Sequence, residues 1–410
     1  MTTAPDPVHV AIEFTLRQDR GQLIAALINS VGDFELAEEC LQDAVETALQ
    51  EWPRAGVPKS RRGWLLQVAR RKAIDRIRRC ASFARKAAQI AVLEQAEATA
   101  PADPHDIPDH RLRLIFTCCH PALDEKTREA LTLRTLGGLT TEEVARAFLD
   151  KTPAMAQRLA RARGKISKAG IQFAIPDAEA LPERVGSVLQ VIYLIFNEGY
   201  AATQGQGQLR IDLCEEAIYL ARLMVGYCPD DAEVAGLLAL MLLSHARRKA
   251  RDVGGYIPLS EQDRSLWDKG LITQGQEILE ATLRKGGIGP YQLQAAISAL
   301  HCEAEQADQT DWCQIAALYR LLAQMQPGAV VQLNLAVALS FCEGPQTALE
   351  MLDGLANTLN RYQPFYAARA DVLMRMGQTD LARKALLRAM ELTQVQSEQD
   401  WLAQRFSGLQ

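Results

Sequence analysis

The clearest local pattern in the chain lies in residues 140–168, which read TTEEVARAFLDKTPAMAQRLARARGKISK. Thr140, followed three residues later by Glu143, forms a capping box and predicts that a helix begins here. Thr152 and Pro153 predict a second helix start, with the threonine as N-cap and the proline in the first helical position. A short helix, a turn and a second helix are typical of a helix-turn-helix.

The second of these helices separates apolar residues from basic ones. At roughly 100° per residue, one stripe of the helix is apolar and is predicted to be buried. The stripe consists of Met155, Leu159, Ala162 and Ile166. The other side carries Gln157, Arg158, Arg161, Lys165 and Lys168. Because residues 151–168 contain six Lys or Arg and no acid, this helix is predicted to enter the major groove of DNA.

A second basic stretch lies upstream, in residues 59–86, with eleven Lys or Arg against one acid, Asp75. Residues 64–79, WLLQVARRKAIDRIRR, predict an amphipathic helix. Its inner face is Leu66, Ala69, Ala73 and Ile77, and its outer face is Arg71, Lys72, Asp75, Arg78 and Arg79. Asp75 is spaced to pair with these bases. Trp64 at the start of the helix suits stacking on an unpaired base, although burial in the core fits it equally well.

Hydrophobic periodicity is helical along nearly the whole chain, so an all-α fold is expected. A first block covers residues 8–80 and a second covers residues 111–172. Between them, residues 81–110 include a stretch rich in Ala, Pro and Asp, which predicts a flexible linker. After a proline-bounded joint, residues 183–285 and 286–407 form two further helical regions.

The C-terminal region contains an internal repeat. Residues 332–355 and 366–392 each predict a helix, a glycine-containing turn and a second helix, and the glycines of the two turns, Gly344 and Gly377, are 33 residues apart. That period is typical of tetratricopeptide repeats, in which helical hairpins stack because one hairpin cannot bury its apolar face alone. An irregular helical bundle remains the alternative.

Composition excludes several classes of protein. The 410 residues are 48% hydrophobic and 23% charged, as in globular proteins. No apolar run reaches the roughly 18 residues of a membrane helix, and Met1–Val10 does not resemble a secretory signal. The net charge of −5 divides into +4 for residues 1–175 and −9 for the remainder. An acidic total is therefore compatible with a polyanionic partner for the first part of the chain.

No candidate for catalysis, metal binding or cofactor binding stands out. The nine scattered cysteines favour reduced thiols in a cytoplasmic protein over a disulfide framework. Cys118, Cys119 and His120 are adjacent, whereas zinc ligands are spaced in pairs, so we expect core cysteines here and no metal. The phosphate-binding and hydrolase motifs GxxxxGK[ST], GxGxxG and GxSxG are absent from the sequence. The chain is predicted not to be an enzyme and to need no cofactor.

An acidic helix is predicted near the N-terminus, in residues 33–49, with Asp33 as its N-cap. Its apolar stripe is Leu36, Leu41, Ala44, Val45 and Leu49. The residues left for an outer surface are Glu35, Glu38, Glu39, Gln42 and Asp43. Such a face suits a basic protein partner and would repel DNA.

These segments, in this order, resemble a group IV, or extracytoplasmic-function type, sigma factor of bacterial RNA polymerase. Residues 32–45 look like region 2.1–2.2, residues 64–79 like regions 2.3–2.4, and residues 127–168 like region 4. Farther on, Phe196–Tyr200 (FNEGY) and Gly289–Ala296 (GPYQLQAA) are similar to the subgroup with a fused tetratricopeptide-like extension. The resemblance implies a region 2 domain, a linker, a region 4 helix-turn-helix domain and a helical-repeat extension.

The resemblance also implies a role for each set of site residues. Core polymerase would be bound by Asp33, Leu36, Glu38, Glu39, Gln42 and Asp43. The −10 element would be contacted by Arg61, Trp64, Arg71, Lys72, Asp75, Arg78 and Arg79. The −35 element would be contacted by Thr152, Gln157, Arg158, Arg161, Lys165 and Lys168. The partners are then core RNA polymerase and promoter DNA, with a regulatory protein or peptide on the extension and no membrane.

The sequence leaves two other functions open. A helix-turn-helix regulator with a helical sensor domain would bind DNA without polymerase, but it would leave the acidic helix without a role. A helical-repeat scaffold would use its basic faces only for solvation. The extension could either inhibit the DNA-binding domains in cis or serve as a platform that they require.

Overall fold

A computed structural model of the chain describes residues 6–79, 109–148, 150–177, 179–200, 210–251 and 256–409. These residues form helices and connecting turns, with no β-strand among them, so the expected all-α class is confirmed. The predicted linker, residues 81–110, lies outside the described residues except for its last two. The chain divides into two compact units, residues 1–195 and 196–410.

The first unit begins with three helices that share one core. They are α1 (Pro7–Val31), α2 (Phe34–Ala55) and α3 (Arg61–Arg79). Gly32 takes a left-handed φ of 73° and ends α1, a conformation that costs glycine least. Asp33 then caps α2 as predicted, because its carboxylate accepts a hydrogen bond from the Leu36 N–H at 2.9 Å.

The inner face of α2 differs from the predicted stripe. Leu41 and Ala44 are buried, but Leu36, Val45 and Leu49 are only half-buried. The core side of α2 instead consists of Phe34, Ala37, Cys40, Leu41, Ala44, Ala48 and Trp52. Small residues on this side let α2 approach α1 and α3 closely, so Ala37 and Ala48 take the positions expected for the larger leucines.

The next helices of this unit are short. They are α4 (Arg111–Cys118), α5 (Glu125–Thr135), α6 (Thr141–Ala147) and α7 (Thr152–Lys168). Gly138, with a left-handed φ of 68°, lies in the turn that separates α5 from α6. The capping box at α6 is confirmed: Glu143 N–H donates to Thr140 Oγ1 at 3.1 Å, and Thr140 N–H donates to Glu143 Oε2 at 2.7 Å.

The predicted N-cap of α7 was wrong by one residue. Lys151, not Thr152, occupies this position, and Thr152 is already helical. The reason is that the Lys151 carbonyl accepts the first helical hydrogen bond, from Met155 N–H at 3.0 Å. The predicted buried stripe of α7 is confirmed, since Met155, Leu159, Ala162 and Ile166 are all buried.

Helix α8 (Leu181–Tyr200) spans the division between the two units. Its first half belongs to the first unit and contacts α4 and α5 there. Arg184 donates to the Phe116 carbonyl, and Arg128 Nη1 donates to Ser187 Oγ at 3.0 Å. The first unit therefore continues beyond residue 172, where we predicted the end of the second DNA-reading domain.

The second unit is a succession of helices joined by short turns. It begins with α9 (Ile211–Tyr227), α10 (Ala232–His245), the single-turn α11 (Arg248–Arg251), α12 (Lys269–Lys285) and α13 (Pro290–Glu303). It continues with α14 (Trp312–Met325), α15 (Ala329–Cys342), α16 (Pro345–Leu355), α17 (Gln363–Arg375), α18 (Thr379–Leu392) and α19 (Gln396–Ser407).

Each of the two predicted repeat units consists of a helix, a turn that contains a glycine, and a second helix. Gly344 between α15 and α16 has φ 104°, and Gly377 between α17 and α18 has φ 73°. The alanines at equivalent positions, Ala348 and Ala382, are fully buried where each second helix packs on its neighbours. These features agree with stacked hairpins, while the tetratricopeptide assignment stays a prediction.

The expectation that all cysteines are reduced was wrong for one pair. Cys313 and Cys342 form a disulfide, with their Cα atoms 5.0 Å apart. The hairpin of α14 and α15 brings the start of one helix beside the end of the other, which a sequence separation of 29 residues does not reveal. Cys80 lies outside the described residues, and the remaining cysteines are free thiols.

Cys118 and Cys119 lie in the core of the first unit, where both are buried. Burial raises the pKa of Cys119 to about 12 and raises the pKa of Cys118 well above its usual value. Both thiols therefore stay protonated near neutral pH, which disfavours the thiolate that a metal ion requires.

Among the described residues, no helix is long and apolar enough to cross a membrane.

Candidate nucleic-acid interface

The outer face of α7 is a continuous basic surface. Its buried stripe packs against α5 and α6, so the opposite side is left to solvent. The residues exposed there are Thr152, Gln157, Arg161, Lys165 and Lys168. With no acid between residues 151 and 168, this face attracts phosphates and presents bidentate donors to base edges.

Arg158 on the same helix is held in place by an acid. Its Nη1 donates to Asp150 Oδ2 at 2.7 Å, and both side chains are about one-third exposed. Asp150 belongs to the turn between α6 and α7, so the pair fixes the guanidinium at the edge of the basic face. This contact orients Arg158 and partly neutralises it.

Arg163 lies on the other side of α7, although it is only two residues from Arg161. Two residues correspond to roughly 200° around a helix, so these side chains point in nearly opposite directions. Arg163 Nη1 donates to Glu38 Oε2 of α2. We did not predict a role for Arg163. Its position at the edge of the apolar stripe of α7 is the feature of the sequence that could have indicated a contact within the fold.

Glu38 is surrounded by three arginines from three helices. Besides Arg163, Arg20 of α1 donates to it at 3.4 Å, and Arg134 of α5 lies 3.9 Å away. The Glu38 side chain is only 14% exposed. Burial, with the charge of nearby Arg134, lowers the pKa of Arg20 to about 10. Glu38 therefore bridges the acidic helix and the helix-turn-helix.

Other predicted polymerase-binding residues are also engaged within the fold. Arg76 of α3 pairs with Glu39, and its Nη2 donates to Asp43 Oδ2 at 2.8 Å. Glu35 and Gln42 are exposed beside them. The acidic side of α2 is therefore a partly neutralised surface and not a continuous negative face.

The basic side of α3 is exposed along most of its length. Arg71, Asp75 and Arg78 are exposed and Lys72 is half-buried. The predicted inner residues Leu66, Ala69, Ala73 and Ile77 are all buried. Arg79 ends the helix, but its side chain lies outside the described residues.

Two residues at the start of α3 contact aromatic side chains. Trp64 is half-buried, and its ring meets the buried Trp52 ring edge-on, with centroids 5.4 Å apart. The Arg61 guanidinium lies 5.3 Å from the centre of the Phe14 ring. Trp64 therefore packs on the core through its contact with Trp52, while part of its ring stays exposed near the start of α3, beside the basic face.

Three parts of the chain match models of known protein families. Residues 16–82 match the family model for sigma-70 region 2, and residues 113–166 match that for sigma-70 region 4. Residues 184–283 match a family of unknown function, DUF6596. No solved structure matches the chain.

Two relatives cover different parts of the chain. It is 40% identical over 404 residues to "Uncharacterized protein R00370" of Rhizobium meliloti, a match that covers 97% of this chain and 96% of that protein. It is 27% identical over 177 residues to "Probable ECF RNA polymerase sigma factor SigI" of Mycobacterium tuberculosis, covering 42% of this chain and 59% of that one.

The chain belongs to the sigma-70 family, as a sigma factor of the extracytoplasmic-function type with a C-terminal helical extension. Sigma regions 2 and 4 imply core RNA polymerase and promoter DNA as its partners.

Proposed function

We propose that the exposed face of α7 reads the −35 element, that the basic side of α3 engages the −10 element, and that α2 docks on core RNA polymerase. The observation that carries the proposal is the acid-free outer face of α7, where Gln157, Arg161, Lys165 and Lys168 are all exposed. Recognition helices present such a face to the major groove.

A conformational step follows from the contacts of Glu38. Glu38 is one of the proposed docking residues, yet it lies under Arg163 of α7. A polymerase surface cannot reach this part of α2 while α7 covers it. We propose that α7 leaves α2 when the sigma factor binds core polymerase, and that Arg163 is the contact released.

Reconstituted transcription tests the assignment. The full chain is mixed with core polymerase, promoter fragments are selected from a DNA library, and initiation from them is measured. Arg161→Ala is expected to lower initiation at promoters that depend on a −35 element. An ordinary helix-turn-helix regulator would instead bind DNA without core polymerase and start no transcripts.

The sigma regions themselves carry no catalytic chemistry, so we propose that the chain is a specificity subunit that acts in the cytoplasm on an enzyme supplied by its partner. We further propose that the extension is a regulatory platform that the DNA-reading domains require. Its helical hairpins and its excess of acidic residues support a protein-binding role.

Truncation tests the role of the extension. A fragment that ends at Ile195, where the first compact unit ends, is compared with the full chain in transcription. Lost activity in a folded fragment supports the platform, and higher activity would show inhibition in cis. Unchanged activity would contradict both roles.

A further inference from the structure

The second unit contains a cavity of about 320 Å³ that the sigma function does not use. Its walls come from the segment before α12, from the ends of α13 and α15, from the start of α14, and from α17 and α19. The volume lies at the lower end of the range of about 300–1,000 Å³ for small-ligand pockets. The cavity therefore has room for a compact molecule of one or two rings.

Two aromatic pairs line the cavity. The rings of Trp312 and Phe341 are stacked, with centroids 4.3 Å apart and planes inclined by 13°. Tyr256 and Trp401 meet edge-on at 5.3 Å. Phe341 is 48% exposed and Tyr256 is 42% exposed. Exposed aromatic rings gathered at the wall of one pocket offer a flat ligand a large apolar contact area.

The charge of the cavity is opposite to that of its surroundings. Its described lining residues include three arginines, Arg264, Arg375 and Arg405, and one carboxylate, Asp371. His301 adds no charge near neutral pH, because burial and two nearby arginines lower its pKa to about 4. Residues 176–410 carry a net charge of −9, so the positive excess here is local.

The guanidinium groups are fixed in position before any ligand arrives. Arg405 donates to Asp371 Oδ1 at 3.0 Å, and Arg375 donates to the Ser340 carbonyl at 3.1 Å. Arg375 also lies over the Phe341 ring at 4.2 Å, and Arg405 lies over the Trp401 ring at 5.0 Å. Because these contacts already hold both arginine side chains in place, binding an anion costs less side-chain entropy.

We propose that this cavity binds a small organic anion, whose apolar body packs against the exposed part of the Phe341 ring beside Trp312 and whose acid group meets Arg375 and Arg405. Arginine recognises a carboxylate through paired, charge-assisted hydrogen bonds, and Asp371 compensates only part of the positive charge. The ligand class is therefore an aromatic carboxylate of one or two rings.

Binding of 1-naphthoate to the full chain tests the proposal, measured by calorimetry and by quenching of tryptophan fluorescence. Neutral 1-naphthamide has nearly the same shape and serves as the charge control. We expect 1-naphthoate to bind at least about 10-fold more tightly than 1-naphthamide. Equal binding of the two, or no binding of 1-naphthoate, would overturn the proposal.

Two variants separate the contributions of charge and ring contact. Arg405→Gln is expected to weaken 1-naphthoate binding about 10-fold without affecting 1-naphthamide. Phe341→Leu is expected to weaken both probes, and because Phe341 is about half exposed this change preserves the fold. Arg388→Gln is the matched control, since Arg388 pairs with Glu391 outside the cavity; it should bind 1-naphthoate like the parent.

The remaining outcomes also decide the question. Unchanged 1-naphthoate binding in both cavity variants would place the ligand elsewhere and overturn the assignment. The tripeptide Ala-Ala-Phe carries an aromatic ring and a carboxylate at a protein C-terminus. If it bound more tightly than 1-naphthoate, the cavity would be a site for a peptide partner, and the small-anion assignment would be overturned.

Discussion

Replacing Arg163 with glutamine should increase the affinity of the free sigma factor for core RNA polymerase. Arg163 joins α7 to Glu38 of α2, and its side chain is 25% exposed while that of Glu38 is 14% exposed. The variant removes this ion pair and leaves Glu38 available for docking. Glu38 keeps Arg20 and Arg134 beside it, so α2 itself is not left with an isolated buried charge.

The size of the effect follows from the burial of the pair. An exposed ion pair contributes about 0–1 kcal/mol, and breaking a fully buried one costs about 3–5 kcal/mol. The Arg163–Glu38 pair is partly buried, and Glu38 keeps two of its three arginine neighbours. We therefore expect the loss of this pair to cost about 1.5 kcal/mol of contact energy between α7 and α2. Since about 1.4 kcal/mol corresponds to a factor of ten, the population with α7 released from α2 should rise about tenfold. The apparent affinity for core polymerase should rise by the same factor while the released state is a minor one.

The measurement is fluorescence anisotropy of the labelled full chain titrated with core polymerase in the absence of DNA. Arg161→Gln is the matched control, because it removes the same charge from the exposed side of the same helix. The control should bind core polymerase within about twofold of the parent, as expected for a surface charge. If Arg163→Gln binds no more tightly than the parent, or if both variants gain equally, release of α7 is not a step in docking.

Three further outcomes are expected. Arg161→Ala should reduce initiation at −35-dependent promoters by about 5- to 150-fold, the equivalent of about 1–3 kcal/mol for a base contact. Lys126→Ala, at another exposed residue, should leave initiation unchanged. If both variants lost initiation equally, the outer face of α7 would not be the surface that reads the −35 element. Thr140→Ala should cost about 1 kcal/mol of helix stability and accelerate hydrogen exchange in α6 about fivefold, and an unchanged exchange rate would show that the capping box does not stabilise this turn. The Cys313–Cys342 disulfide closes a loop of 29 residues, so its reduction should lower the free energy of unfolding of the second unit by about 3.6 kcal/mol, measured by urea denaturation. A double Cys→Ser variant should no longer respond to the reductant.

The sequence by itself determined the helices and the sides of them that face inward. The capping box at Thr140, the N-cap at Asp33 and the buried stripe of α7 all follow from residues within a few positions of one another. Local hydrogen bonds and a period of 3.6 residues are properties of short segments, so they can be read without the rest of the chain. The order of the two basic helices and the acidic helix was sufficient for the resemblance to a sigma factor.

Only the tertiary structure decided which helix each face meets. The inner side of α2 turned out to hold alanines where we expected Leu36 and Leu49, and Arg163 met Glu38 across 125 residues of sequence. The cavity between Trp312 and Arg405 likewise joins residues from separate helices. Periodicity reports that a face is buried but not what covers it, because the partner is chosen by close packing between elements that are distant along the chain.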